Sequence, residues 1–248
     1  MFLHTLEIKP DSFATDIVSQ NHHTAEVFRK YGIEYCCGGR WPLETVCSAK
    51  GIGFDMLKQE LEVASRPVYV PPKLAFEDWD VDFLTSYIIN VHHQYLRNTL
   101  PATEEIVSRF ADEHTKKYPH MQEVKKLCAV LKKEIIPHLT EEEQIIFPYI
   151  CQVVHAYENN DSYAKLLVKT LRKPLDTMMR QEQESLSTLI LKIRSLSNNY
   201  VPPEASCVSH KVALSRLKEL DNDLMQHIYL ENDILFPRAI KIEQELLQ

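Results

Sequence analysis

From residue 80 onward the hydrophobic positions recur at helical spacing in four long runs. The first starts at Asp80, a residue suited to an N-cap, and carries Leu84, Ile88, Ile89, Val91 and Leu96. The second, from about Pro119 to Glu158, sets Val124, Leu127, Leu131, Ile135, Ile145 and Tyr149 at helical intervals. The third runs from about Leu171 to Leu196 with Leu175, Met179, Leu186, Ile190 and Ile193. The fourth follows the Val201–Pro202–Pro203 break with Leu214, Leu217, Leu220, Leu224 and Leu235. Each run carries one apolar stripe, and four such helices bury their stripes by packing into a bundle.

Before residue 80 the pattern is shorter. It predicts a helix over Asp16–Tyr31 ending at Gly32, a second over Pro42–Lys50 ending at Gly51, and a third over Phe54–Ala64. Pro67, Pro71 and Pro72 forbid a helix through the next stretch. All five glycines lie before residue 54, so the rest of the chain lacks cheap positions for positive-φ turns. The predicted fold is all-α: a small helical domain over 1–65, a Pro-rich linker over 66–79, and an up-down four-helix bundle over 80–248.

The hydrophobic fraction of 44% is that of an ordinary globular protein. A net charge of -7 with no basic tract argues against a nucleic-acid partner. No apolar stretch reaches bilayer length, and Met1–Pro10 lacks the basic-then-apolar order of an export signal. A soluble, cytoplasmic protein with no membrane partner is expected. Six cysteines, with Cys36 and Cys37 adjacent, fit reduced thiols better than a disulfide scaffold.

The second and fourth runs contain the same phrase, His-x-x-x-Glu-x-x-x-(Ile/Leu)-Phe-Pro. It occurs once from His138 and Glu142 to Pro148, and again 89 residues later from His227 and Glu231 to Pro237. The duplication implies two helical hairpins related by a pseudo-twofold axis. Residues i and i+4 share a helix face about 6 Å apart along the axis. Both pairs fall on the apolar stripe: His138 lies a heptad from Leu131 and from Ile145, and His227 and Glu231 continue Leu220 and Leu224. A carboxylate buried without a partner is heavily penalised, so two in one core demand cations. Carboxylates with imidazoles suit a pair of irons about 3.5–4 Å apart. A single His-x-x-x-Glu would read as a solvated face or a satisfied core histidine; two copies with the same Phe-Pro read as a metal site.

The symmetry asks for one more ligand from the first helix and one from the third. On the first, His93 shares a stripe with Ile89, Leu96 and Leu100, while His92 sits beside Ile88 and Tyr95. On the third, the same offset added to His93 reaches Glu182, and one residue of loop slack reaches Gln183. His114, His120, His155 and His210 are expected on the surface or in loops.

With these residues in view, the chain resembles the repair-of-iron-centres proteins. These are hemerythrin-like di-iron proteins implicated in restoring iron–sulfur clusters after nitrosative or oxidative damage. The resemblance runs over nearly the whole length, from Tyr31-Gly-Ile-Glu-Tyr-Cys36-Cys37-Gly-Gly39 through both His…Glu…Phe-Pro phrases. It implies a non-haem di-iron centre, oxo- or hydroxo-bridged, with His93, His138 and His227 terminal and Glu142 and Glu231 bridging. Glu134 and Glu182 match acidic positions near the family's site. Where the family has a histidine on the third helix, this chain has Gln183, and an amide is the poorer iron ligand.

The resemblance also implies a redox or iron-transfer role for Cys36 and Cys37, with damaged iron–sulfur proteins as partners. Nitric oxide or oxygen would be the small ligand, and a homodimer is left open. Two other readings stand beside repair: a di-iron nitric oxide reductase, and an oxygen or iron sensor whose N-terminal domain serves as an interaction module.

Overall fold

The computed structural model describes residues 7–35, 41–65, 74–169 and 175–247, with the side chains of 175–185 outside that description. Among the described residues the regular structure is helical, with one isolated β-bridge between Phe13 and Pro42. The chain forms two compact units. One comprises Met1–Pro72 with Tyr200–Leu217; the other comprises Lys73–Asn199 with Lys218–Gln248.

In the first unit the helices are α1 (Ala14–Gln20), α2 (Thr24–Lys30), α3 (Leu43–Lys50) and α4 (Phe54–Ala64). The single helix predicted over Asp16–Tyr31 is broken, and Asn21 is the cause. Its Oδ1 accepts the His23 N–H at 3.0 Å, and its carbonyl accepts the Thr24 hydroxyl at 2.6 Å. These local bonds offer the backbone a turn in place of helix. Gly32 and Gly51 adopt φ of 61° and 67°, as their helix-ending roles require. Ile17, Val18, Phe28, Leu43, Leu57 and Leu61 are buried. Buried Arg216, from the Tyr200–Leu217 segment, pairs with Glu26 at 2.7 Å.

The second unit holds long helices with an interruption in common. Helix α5 (81–113) runs Val81–Tyr87, a π-helical turn Ile88–His93, then Gln94–Glu113. Helix α6 (121–158) runs Met121–Glu141, a π turn Glu142–Ile146, then Phe147–Glu158. After short α7 (Ala164–Val168) comes α8 (Leu175–Leu196), α-helical throughout. Helix α9 (208–247) runs Val208–Tyr229, a π turn Leu230–Leu235, then Phe236–Leu247; its first turns belong to the other unit. Within the bundle α5 packs on α6, α6 on α8, and the last part of α9 on α6, α7 and α8.

The π turns have a visible origin in the Phe-Pro phrase. The Phe147 N–H bonds back five residues to the Glu142 carbonyl, and Phe236 N–H does the same to Glu231. Pro148 and Pro237 follow at once, and neither has an N–H to give the carbonyl four residues back. The turn of α5 forms without a proline.

Each π turn inserts a residue and shifts the stripe. Ile145, placed on the stripe a heptad after His138, is 52% exposed, while Ile146 and Phe147 are buried. Val91 is exposed for the same reason, within the turn Ile88–His93. Beyond the turns, Leu84, Ile88, Phe147, Ile150, Leu235 and Phe236 belong to one apolar cluster. The loops that glycine would have served use Asn160, Asn198, Asn199 and Tyr200 at positive φ instead. Asparagine tolerates that region best among non-glycines. No helix among the described residues is long and apolar enough to cross a membrane.

Replacing Pro237 with Ala returns an N–H to the helix and removes the steric cause of the π turn. The metal-free chain should then melt at a higher temperature, because an interior proline costs about 3 kcal/mol. Metal uptake should fall as Glu231 rotates out of register. Calorimetry of the metal-free chain and metal analysis check the two halves, and unchanged uptake would show that the turn does not need its proline.

Candidate metal centre

The three π turns carry His93, Glu142 and Glu231, and His227 lies just before the last of them. Together these four residues offer ligand atoms that all lie within 4.8 Å of one another, and all four are buried. His93 Nε2 is 3.0 Å from His227 Nε2. Glu231 Oε1 lies 2.8 Å from His227 Nε2 and 3.7 Å from His93 Nε2. Glu142 Oε2 lies 3.6 Å from His93 Nε2 and 4.0 Å from His227 Nε2.

His138 stands on the other side of Glu142, its Nε2 3.2 Å from Oε1. One oxygen of Glu142 therefore faces the His93–His227 pair and the other faces His138. The His138 side chain keeps 15% exposure, against 1% or less for His93 and His227. Glu134, half-buried on α6, is not among the four. Glu182 and Gln183 fall on α8, with their side chains outside the described residues, and Cys36 and Cys37 also lie outside them.

The donor set fits a cation. Burial raises the pKa of the Glu231 carboxyl, but His227, His93 and His138 outweigh it and draw it down to about 2. It is thus ionised in an almost dry site. His227 Nδ1 has no hydrogen-bond partner among the described residues. Two buried carboxylates converging on imidazole nitrogens, with lone pairs left over, are what a multivalent ion satisfies and a protein-only core does not.

An outer carboxylate orients His93. His93 Nδ1 meets Glu143 Oε1 at 2.9 Å, and Glu143 Oε2 accepts from Arg97 at 3.0 Å. A proton on Nδ1 shared with Glu143 leaves the Nε2 lone pair of His93 facing the cluster. The ring of His93 also stacks on Phe147, centroids 5.6 Å apart, so the phenylalanine of the repeated phrase props a ligand-type side chain. Sequence reading missed Glu143 and Arg97. The signal was available, since Glu143 follows Glu142 directly and the π turn brings neighbours inward together. His210, expected at the surface, is buried, with its Nδ1 3.1 Å from Ser206 Oγ. His114 is half-buried, and His120 and His155 are exposed.

Comparison with known proteins agrees with this geometry. Residues 84–239 match the hemerythrin HHE cation binding domain, and residues 12–65 match a domain of unknown function, DUF542, also called ScdA_N. The iron-sulfur cluster repair protein YtfE of Edwardsiella ictaluri (strain 93-146) is 30% identical over 218 residues, covering 86% of this chain and 90% of that one. The protein of the same name from Escherichia coli O81 (strain ED1a) matches to the same extent. That of Escherichia fergusonii is 29% identical over the same share. The cluster and the cation-binding match together indicate a metal site.

Glu143→Ala should weaken metal retention by about 10–100-fold, the usual effect of removing an outer carboxylate. Its side chain is 25% exposed, so the fold should survive. Competition with a chromophoric chelator measures the change, and an unaltered affinity would remove Glu143 from the site.

Proposed function

The chain belongs to the hemerythrin HHE cation-binding family, and on that premise we propose that it repairs iron–sulfur clusters damaged by nitrosative or oxidative stress in the cytoplasm. The observation that carries this reading is the buried convergence of His93, Glu142, His227 and Glu231. His93, His138 and His227 as terminal ligands and Glu142 and Glu231 as bridging ones would hold a non-haem di-iron centre, oxo- or hydroxo-bridged. The two faces of Glu142, one toward the His93–His227 pair and one toward His138, support the bridging role.

When bound, the iron pair supplies exchangeable iron and a place for nitric oxide or oxygen. The protein's own part is to hold the Glu231 carboxylate ionised, to fix the His93 tautomer through Glu143, and to keep bulk water from the His93–His227 side. Damaged iron–sulfur proteins are the partners this reading requires.

Cys36 and Cys37 supply the thiol part of repair, as redox or iron-transfer groups. Among the described cysteines, burial pushes Cys128 up to about 12 and Cys151 up to about 11, so both are protonated near neutral pH and poor nucleophiles.

The test uses the full chain loaded with iron and a [4Fe–4S] protein bleached by nitric oxide, under anaerobic conditions. Cluster absorbance and client activity should return with the native chain. They should fail to return with Glu142→Ala, which should also lose the coupled iron signal. Formation of nitrous oxide without cluster recovery would assign the reductase reading instead. Retention of full iron and coupling by Glu142→Ala would overturn the bridging role.

The third helix sets the two metals apart. By the sequence reading, Gln183 or Glu182 would supply the other terminal ligand to a metal beside His138, and neither is an imidazole. A chelator should therefore remove the two irons in separate steps, and Gln183→His should merge them. Loss of both in one step from the native chain, unaffected by Gln183→His, would exclude the asymmetry.

A further inference from the structure

His92 is as buried as His93, at 1% exposure, although neighbours on an α-helix point about 100° apart. The π turn Ile88–His93 is what turns both inward. The two rings are also presented alike. His93 has Glu143 on Nδ1; His92 has Asp223 on Nδ1, Oδ1 at 3.0 Å. A carboxylate on Nδ1 with Nε2 left unprotonated is how proteins prepare a histidine to bind metal. His92 Nε2 is buried and has no hydrogen-bond partner among the described residues, and the same holds for Asp223 Oδ2. An unpartnered buried nitrogen is costly unless something else occupies it.

The ring of His92 stands beside the cluster, outside the four residues whose ligand atoms lie within 4.8 Å of one another, as His138 does. The His92 ring centroid is 6.2 Å from that of His227, no farther than the His138 ring at 6.5 Å. Asp223 and His227 lie four residues apart on α9, so the carboxylate that orients His92 rises from the same helix face as His227. On its other side the ring rests edge-on against Tyr87, centroids 5.6 Å apart.

We propose that His92 is a metal ligand, giving its Nε2 to the ion held by His93 and His227, with Asp223 as its positioning carboxylate. The inference rests on the di-iron reading above and deepens it. It would make the centre lopsided, with His92, His93 and His227 able to hold one metal and His138 left on the other side. A chain that lacks the third-helix histidine thus carries an extra one on the first helix, beside the opposite metal.

The full chain is stripped, reloaded anaerobically with ferrous iron, and titrated with a chelator while iron per chain is measured. The histidine nitrogens around iron are counted by X-ray absorption on the same samples. His92→Phe keeps an aromatic ring between Tyr87 and His227, so the metal-free chain should melt within a few degrees of the native one. The later, tighter release step should move to at least tenfold lower chelator, and the mean nitrogen count should fall. Asp223→Asn should shift the same step by less.

Both steps unmoved in His92→Phe, with an unchanged nitrogen count, would overturn the proposal. So would a lower melting temperature of the metal-free chain with iron affinity intact, since that is the mark of a packing role. A native chain that takes up no iron would instead sink the di-iron reading itself, which separates the two failures.

Discussion

Two carboxylates, Glu142 and Glu231, sit in the middle of an apolar helical bundle with 2% and 3% of their surface exposed. Taking a carboxylate out of water costs several kcal/mol even after the protein relaxes, and the cost is offset only by cations and hydrogen bonds in good geometry. Much of the bundle's irregularity serves that constraint. The π turns aim Glu142, Glu231, His92 and His93 inward at one level, where a regular helix would have swung some of them to the surface. The apolar residues on either side, such as Leu131 and Leu139 before Glu142 and Ile146 and Phe147 after it, keep that level dry.

The Phe-Pro phrase links the covalent chain to the chemistry. The proline withholds one N–H and so widens the turn that carries the glutamate. The phenylalanine before it packs into the apolar cluster, and in α6 it also supports the ring of His93. Around this centre stands an outer layer of carboxylates: Glu143 behind His93, itself held by Arg97, and Asp223 behind His92. Both carboxylates retain some exposure, 25% and 18%, unlike the inner pair. The carboxylates thus pass from a dry interior to a half-wet rim, and the rim pair fixes the rings of His93 and His92.

Much of this was legible in the residues before any coordinates. The repeated His…Glu…Phe-Pro spacing singled out His138, Glu142, His227 and Glu231, and the stripe through Leu96 and Leu100 singled out His93. The four long runs appear as helices, with α5 beginning one residue after Asp80 and α8 ending at Leu196. Less legible was whatever depended on the turns being wider than an α-helix. Heptad counting carried the stripe from His138 to Ile145, but the inserted residue hands the buried place to Ile146. The same insertion concealed His92, which an ordinary helix would have kept apart from His93. Asn21 broke a helix that periodicity alone joined, because a side-chain carbonyl competes locally with the backbone and leaves no trace in hydrophobic spacing.

The sequence by itself determined the helical class and the residue types able to hold a metal, because helical period and donor chemistry are properties of short stretches. Tertiary structure decided how those donors meet. Which histidines Glu142 faces and which carboxylate stands behind which ring depend on residues as much as 131 positions apart along the chain. No local spacing encodes such encounters. They follow from how the helices pack, and the packing is fixed by the need to bury every apolar stripe while leaving the two glutamates something positive to face.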